Sequence, residues 1–305
     1  MEWIKYLSTF FVLLVIGLLV FYFFIPTNSV NYVLEESQGS NFSLSQTTND
    51  SFQFYQNMRY PDYKISYRII GCPIGKKDEM KRAIEYIQNK TILKFYEVVD
   101  SEEISVTCDN TLKLEGSAFI AGEGGTTNVT KTNNFNVIDN GQVLLLRETQ
   151  CAEPIVAAHE LMHSLGFQHS TNPSNLMYPT VDCRQTIGDD TVNYINKLYS
   201  YPSFSDLSFE NVSATIKGKY LDGNFIIRNN GLIKSENSTV IVYSGNSVVK
   251  KISLGGINVG YGIEIMFENQ WSPELSSDES LRFVIDTKFN ELDKSNNEVV
   301  LNEKK

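Results

Sequence analysis

Three histidines fall within one short run, and they are the only histidines in the chain. The run reads His159-Glu160-Leu161-Met162-His163-Ser164-Leu165-Gly166-Phe167-Gln168-His169. His159 and His163 are four residues apart, so on a helix they project from one face and can grip a single ion. Glu160 stands beside them, placed to hold a water rather than the metal. Gly166 can take the left-handed backbone conformation that ends a helix. A turn at that point lets His169 come back as the third ligand. Three protein ligands leave the fourth tetrahedral position open, which marks a catalytic zinc site rather than a structural one. Any fold for this chain must therefore supply a helix that stops at Gly166 and a floor beneath it.

The complete pattern H-E-x-x-H-x-x-G-x-x-H resembles that of the metzincin zinc metallopeptidases. Asn175-Leu176-Met177-Tyr178-Pro179 resembles their Met-turn, whose methionine underlies the zinc. Ser170 directly after the third histidine, with Leu176 to Pro179, is similar to the matrixin branch. Branches that use a tyrosine as a further ligand place it two residues after the methionine. Pro179 stands there, so no tyrosine ligand is expected.

The resemblance implies an α+β catalytic domain with a twisted mixed β-sheet and a zinc-site helix. It implies one catalytic Zn2+ held by His159, His163 and His169, with Glu160 as general base and Met177 below. It also implies an edge strand on which an extended protein or peptide substrate would pair, at Ser117, Ala118, Phe119, Ile120 and Ala121. A pocket for the side chain after the scissile bond is expected between Ile155 and the wall Pro179, Thr180 and Val181. Matrixins usually carry a tyrosine where Val181 stands, so this wall is smaller. Two family features are absent. No histidines are left for a second, structural zinc, and no cysteine precedes Arg59 to block the site. Calcium sites are not assigned by the sequence; the Gly-rich stretch Gly122-Glu123-Gly124-Gly125 reads as a turn.

Four cysteines suit an exported chain with two disulfides and allow three pairings, among which sequence alone does not choose. The implied fold pairs Cys72 with Cys108, at the ends of two neighbouring strands. It pairs Cys151, before the zinc helix, with Cys183, after the Met-turn. None lies in a Cys-x-x-Cys spacing, so no cysteine-bound zinc is expected.

Residues 1–26 hold an uncharged apolar run, Leu7 to Ile25, long enough to cross a bilayer. It ends Phe23-Phe24-Ile25-Pro26 without a small-residue cleavage site, which favours an uncleaved signal anchor over a removed signal peptide. Lys5 precedes the run, and no Lys or Arg follows before Arg59. That asymmetry places the N-terminus inside and the remainder outside the cell, as a single-pass membrane protein. Residues 27–58, rich in Ser, Asn, Gln and Thr, read as a flexible polar stalk about 30 Å in reach.

The catalytic domain is expected over 59–202. Lys64–Ile70 alternates as a strand, Asp78–Leu93 has helical periodicity, and Phe95–Val99, Glu103–Cys108, Gly116–Ala121 and Val143–Arg147 are strand candidates. Pro154 opens the zinc helix, and Asp189 to Tyr199 is expected to close the domain with another. Over 203–305 the pattern changes to short strands at regular spacing, the signature of an immunoglobulin-like β-sandwich. Asn229-Asn230-Gly231 and Glu291-Leu292-Asp293-Lys294-Ser295-Asn296-Asn297-Glu298 resemble the CARDB family, adhesion-related sandwiches of prokaryotic surface proteins. This domain is either a binder of a cell-surface ligand or a spacer. A net charge of −10 argues against a nucleic-acid partner. Asn-x-Ser/Thr sequons begin at Asn41, Asn49, Asn89, Asn128, Asn211 and Asn237.

The expectation is thus a membrane-anchored extracellular zinc endopeptidase, with release of its own ectodomain compatible with that role. The alternative is a surface adhesion protein with an inactive or structural zinc domain. The intact Glu160 weighs against the alternative, since a structural site has no chemical need for that carboxylate.

Overall fold

The computed structural model describes residues 2–23, 29–33, 53–111, 113–115, 118–147 and 151–302. Helix α1 (Glu2–Phe23) takes in most of the apolar run. Its side chains are described at Trp3 and from Lys5 to Leu18, where all are exposed. Among the described residues, no helix is long and apolar enough to cross a membrane.

The segment expected to be a stalk has structure at both of its described ends. Strand β1 (Ser29–Val33) pairs antiparallel with a strand of the C-terminal domain. At the other end Gln53 is buried, its side chain bonded both ways to the backbone of Met58. Polar composition alone predicts solvation, but a β-strand edge and a buried glutamine satisfy polar groups equally well.

The domain that carries the histidine run follows. Strands β2 (Met58–Arg59) and β3 (Lys64–Ile70) lead to helix α2 (Ile74–Lys90). Next come β4 (Lys94–Glu97), β5 (Ile104–Cys108), the short β6 (Leu114–Glu115) and β7 (Ala118–Phe119), then β8 (Gly122–Lys131) and β9 (Asn136–Leu145). Helices α3 (Ile155–Ser164) and α4 (Asp189–Tyr199) complete it. The sheet order is β2-β9-β5-β3-β4, all parallel, with β8 antiparallel on the other side of β9. It is the expected mixed sheet. Helix α2 begins a turn earlier than its apolar period, because Pro73 sits at its N-cap and lacks only an N–H that a helix start leaves unbonded anyway. Its Met80, Ala83, Ile84 and Ile87 are buried as the period requires.

Two buried cations tie the layers. Lys76, on the first turn of α2, donates to the carbonyls of Asp109, Leu145 and Leu146 and to Asn110 Oδ1. Arg59 is fully buried without a carboxylate partner among its bonds; it donates to the carbonyls of Tyr60, Pro61, Leu198 and Tyr201 and stacks on Tyr199. Burial lowers its pKa, but an arginine remains charged at any physiological pH.

Both expected disulfides are present, Cys72–Cys108 and Cys151–Cys183. The first joins the loop after β3 to the end of β5, neighbours in the sheet. The second joins the segment before α3 to the one after the Met-turn.

The C-terminal domain is two four-stranded antiparallel sheets. One has the order β1-β10-β11-β14, with β10 (Leu207–Lys217), β11 (Tyr220–Asn229) and β14 (Gly262–Trp271). The other has the order β13-β12-β15-β16, with β12 (Ser238–Ser244), β13 (Ser247–Leu254), β15 (Leu281–Asp286) and β16 (Glu298–Leu301). Phe209, Phe225 and Phe283 meet edge to face across its core. The domain joins the preceding one at the β8–β9 hairpin. Asn134 Nδ2 donates to Asp206 Oδ2 at 2.9 Å, and Asn133 N donates to Asn230 Oδ1 at 3.2 Å. Leu232 is packed into the core of the preceding domain.

Candidate functional site: a three-histidine centre

The site is built on α3, which Pro154 opens at the N-cap and Gly166 closes at φ 90°. A Cβ on Gly166 would lie 2.9 Å from the Met58 Cβ, so glycine is needed for space as well as for backbone sign. The chain turns there as expected and brings His169 back. One ring nitrogen from each of His159, His163 and His169 lies within 4.8 Å of the others. His163 Nε2 and His169 Nε2 are 3.1 Å apart.

Backbone carbonyls fix how two of those rings face. His159 Nδ1 lies 2.7 Å from the Leu176 carbonyl, and His163 Nδ1 lies 2.7 Å from the Phe167 carbonyl. A carbonyl can only accept, so each Nδ1 carries the proton and each Nε2 presents a lone pair to the centre. The 3.1 Å between the His163 and His169 Nε2 atoms is close to the separation of two ligands on one ion. Two nitrogens about 2.0–2.1 Å from one tetrahedral zinc are about 3.3 Å apart, so this donor set fits zinc. Burial and the neighbouring rings keep His163 protonation low, at about 4, and burial lowers that of His159. Both effects favour the neutral form that ligates.

Met177 is buried in the turn that follows His169, with Tyr178 N donating to the Asn175 carbonyl and Ser170 N to the Met177 carbonyl. The same turn supplies the Leu176 carbonyl that orients His159. Glu160 is buried, and burial first, then the nearby Glu123, pushes its carboxyl up to about 8. The charge of a bound zinc acts in the opposite direction.

The edge of the sheet is not where the resemblance put it. Ala118 and Phe119 pair only with the short β6, Ser117 lies outside the described residues, and the Ala121 carbonyl accepts from Leu146 N and Arg147 N. The outer antiparallel strand is β8, and among the described residues nothing pairs with its other side. The Gly-rich stretch read as a turn is the start of this strand. The physical reason is contact. A Cβ at Gly122 would lie 2.6 Å from Glu160 Cγ, and one at Gly124 only 2.1 Å from the Glu160 carbonyl oxygen. Glycine at alternate positions lets a strand backbone lie directly on α3.

Of the expected pocket residues, Ile155 is buried in the core on the first turn of α3, whereas Pro179, Thr180 and Val181 are exposed. Sequence reading missed Phe54, whose ring stacks on His163 at 5.9 Å and whose N–H donates to the Gly166 carbonyl. It also missed Glu123, which pairs with Lys113 at 2.8 Å. No signal in the sequence singles out either residue.

Comparison with known proteins agrees with this geometry. Residues 64–200 match the family Matrixin, and residues 205–300 match the family CARDB. Matrix metalloproteinase-26 of Homo sapiens is 30% identical over 172 residues, covering 49% of this chain and 62% of that protein. Matrix metalloproteinase-20 of Homo sapiens is 39% identical over 88 residues, 27% of this chain and 16% of that protein. Stromelysin-1 of Equus caballus is 46% identical over 56 residues, 17% of this chain and 12% of that protein. The chain therefore spans less than two thirds of each of these relatives. The histidine centre, the turn that follows it and these matches together make residues 64–200 a matrixin domain and residues 205–300 a CARDB domain.

Proposed function

We propose that this protein is a zinc endopeptidase, held on the outer face of a membrane by α1. The observation that carries the reading is the pair of oriented Nε2 lone pairs beside His169, with the buried Glu160 one residue from the first ligand. Zinc held by His159, His163 and His169 supplies Lewis acidity, lowering the pKa of water to about 7 and polarising a carbonyl. Glu160 then serves as general base: its carboxylate takes a proton from the attacking water and delivers it to the departing amine. The Leu176 and Phe167 carbonyls hold the histidine rings in register throughout. An extended substrate pairs along the free side of β8, where backbone hydrogen bonds give affinity with little side-chain demand.

The anchor rests on the sequence: Leu7 to Ile25 is an uncharged apolar run, and its last two residues lie outside the described residues. Leu7, Phe10, Phe11 and Leu13 are each more than 60% exposed, so the protein offers them no core. Lys5 before the apolar run, with no Lys or Arg between it and Arg59, supports an orientation with everything after the helix outside the cell.

The test is to incubate the full-length protein with a peptide library, with and without a chelator, and then to restore zinc. Cleavage that stops on chelation and returns with zinc is expected. Cleavage indifferent to chelation, or none by the zinc-loaded protein, contradicts the reading.

A further inference from the structure

The first strand after α1 belongs to the last domain of the chain. Ser29 lies opposite Lys217 and Val33 opposite Ser213, so β1 is an edge of the C-terminal sandwich. From Phe23 to Ser29 there are six residue steps, which reach about 22 Å at most. The end of the sandwich that carries Ser29 and Lys217 is therefore confined near the end of α1.

That end has a particular surface. The β10–β11 turn is Lys217-Gly218-Lys219-Tyr220, and Tyr220 stands opposite Trp271 at the end of β14. Tyr220 is 43% exposed and Trp271 is 56% exposed. Lys217 and Lys219 are exposed as well; Lys217 pairs with Asp222 at 3.2 Å, and Lys219, which donates to the carbonyls of Pro273 and Leu275, keeps its charge without a carboxylate among those bonds. Amphipathic aromatic rings are enriched at the level of lipid headgroups, and lysine is favoured beside anionic ones. At the opposite end of β10, Asp206 and Asn230 grip the catalytic hairpin. The eleven residues of β10 separate the two ends by about 35 Å.

We propose that the C-terminal sandwich is the membrane-proximal domain, with Tyr220 and Trp271 seated in the headgroup layer of the bilayer that holds α1. The sandwich is then a strut rather than a pendant module, and it holds the catalytic domain on its far end at a fixed height. This rests on the reading of α1 as a membrane anchor.

The chain has two tryptophans, Trp3 in α1 and Trp271 at this tip. Full-length Trp3→Phe protein reports the tip alone, and full-length Trp271→Phe protein reports α1 alone. Each is reconstituted into equimolar phosphatidylcholine and phosphatidylglycerol vesicles, with or without bromine atoms on the acyl chains near the headgroup. Thermal unfolding confirms that both variants fold. Quenching of both tryptophans by the brominated lipid is the expected result. Quenching of Trp3 with unquenched Trp271 overturns the tip and leaves the anchor standing. If neither is quenched, the anchor reading fails and the tip reading with it.

Discussion

Replacing Gly124 by alanine tests how closely the cleft is assembled. The added Cβ would lie 2.1 Å from the Glu160 carbonyl oxygen and 2.8 Å from its carbonyl carbon, where ordinary contact begins at 3.4 Å. Those atoms are helix backbone, so no side chain can swing aside, and β8 and α3 must separate by about 1.3 Å. Overpacking of this kind costs about 1–3 kcal/mol. Misplacing a catalytic group by about 1 Å costs on the order of 10²-fold in rate. We expect Gly124→Ala to lose stability in that range and kcat/KM by about that factor. Gly125→Ala is the control. Its Cβ meets nothing within 4 Å, so its effect should stay within about 0.5 kcal/mol. The assay is cleavage of a fluorogenic peptide alongside thermal unfolding and zinc content. Wild-type kcat/KM and melting in Gly124→Ala would refute the claimed contact between β8 and the Glu160 backbone.

Three further outcomes are expected. Asp206 is fully buried between the domains, and burial raises its carboxyl from 3.8 to about 6 despite donation from Asn296 and Asn134. A raised folded-state value gives stability that is full below about pH 3.8 and lost as pH rises through about 6. Wild-type stability relative to Asp206→Asn should fall on the order of 2–3 kcal/mol between pH 4 and 7.5, and a pH-independent difference contradicts this. Replacing Cys151 and Cys183 together by serine opens a loop with a separation of 32 residues and should cost about 3–4 kcal/mol, read by denaturant unfolding; an unchanged midpoint contradicts it. Cleavage sites mapped by mass spectrometry should show Leu, Ile, Met or Phe just after the cut, as a graded preference, since one methylene is worth about 1–3 kcal/mol. Enrichment of Asp or Lys there excludes an apolar pocket beside α3.

The metal centre was legible because its chemistry is local. Helical spacing fixes His159 and His163, Gly166 fixes the turn, and the Met177 segment arrives within a few residues of His169. Strand β3 and the buried face of α2 were legible for the same reason, as short periods in adjacent residues. What failed was long-range. Gly122 to Gly125 looks like a turn until α3 is known to press on it. Val143–Arg147 reads as a short strand, but β9 starts at Asn136, where its residues pair with the preceding strand β8; the polar run Asn136 to Gln142 hides that hairpin. Ser29–Val33 alternates Val30 and Tyr32 with Ser29 and Asn31, but so short a run names no partner, and the one it has, Ser213–Lys217, lies far along the chain. Phe54 reads as one aromatic in a polar segment until the fold brings it to His163.

In the proposed mechanism Glu160 performs proton transfer while the histidines alone hold the metal. Turnover and bound zinc in Glu160→Ala, measured on the same preparation, separate the two roles. Zinc bound as in the wild type is expected, with turnover lower by roughly 10²–10⁴-fold, the usual contribution of a general base. Near-normal turnover in the zinc-loaded Glu160→Ala protein would contradict it.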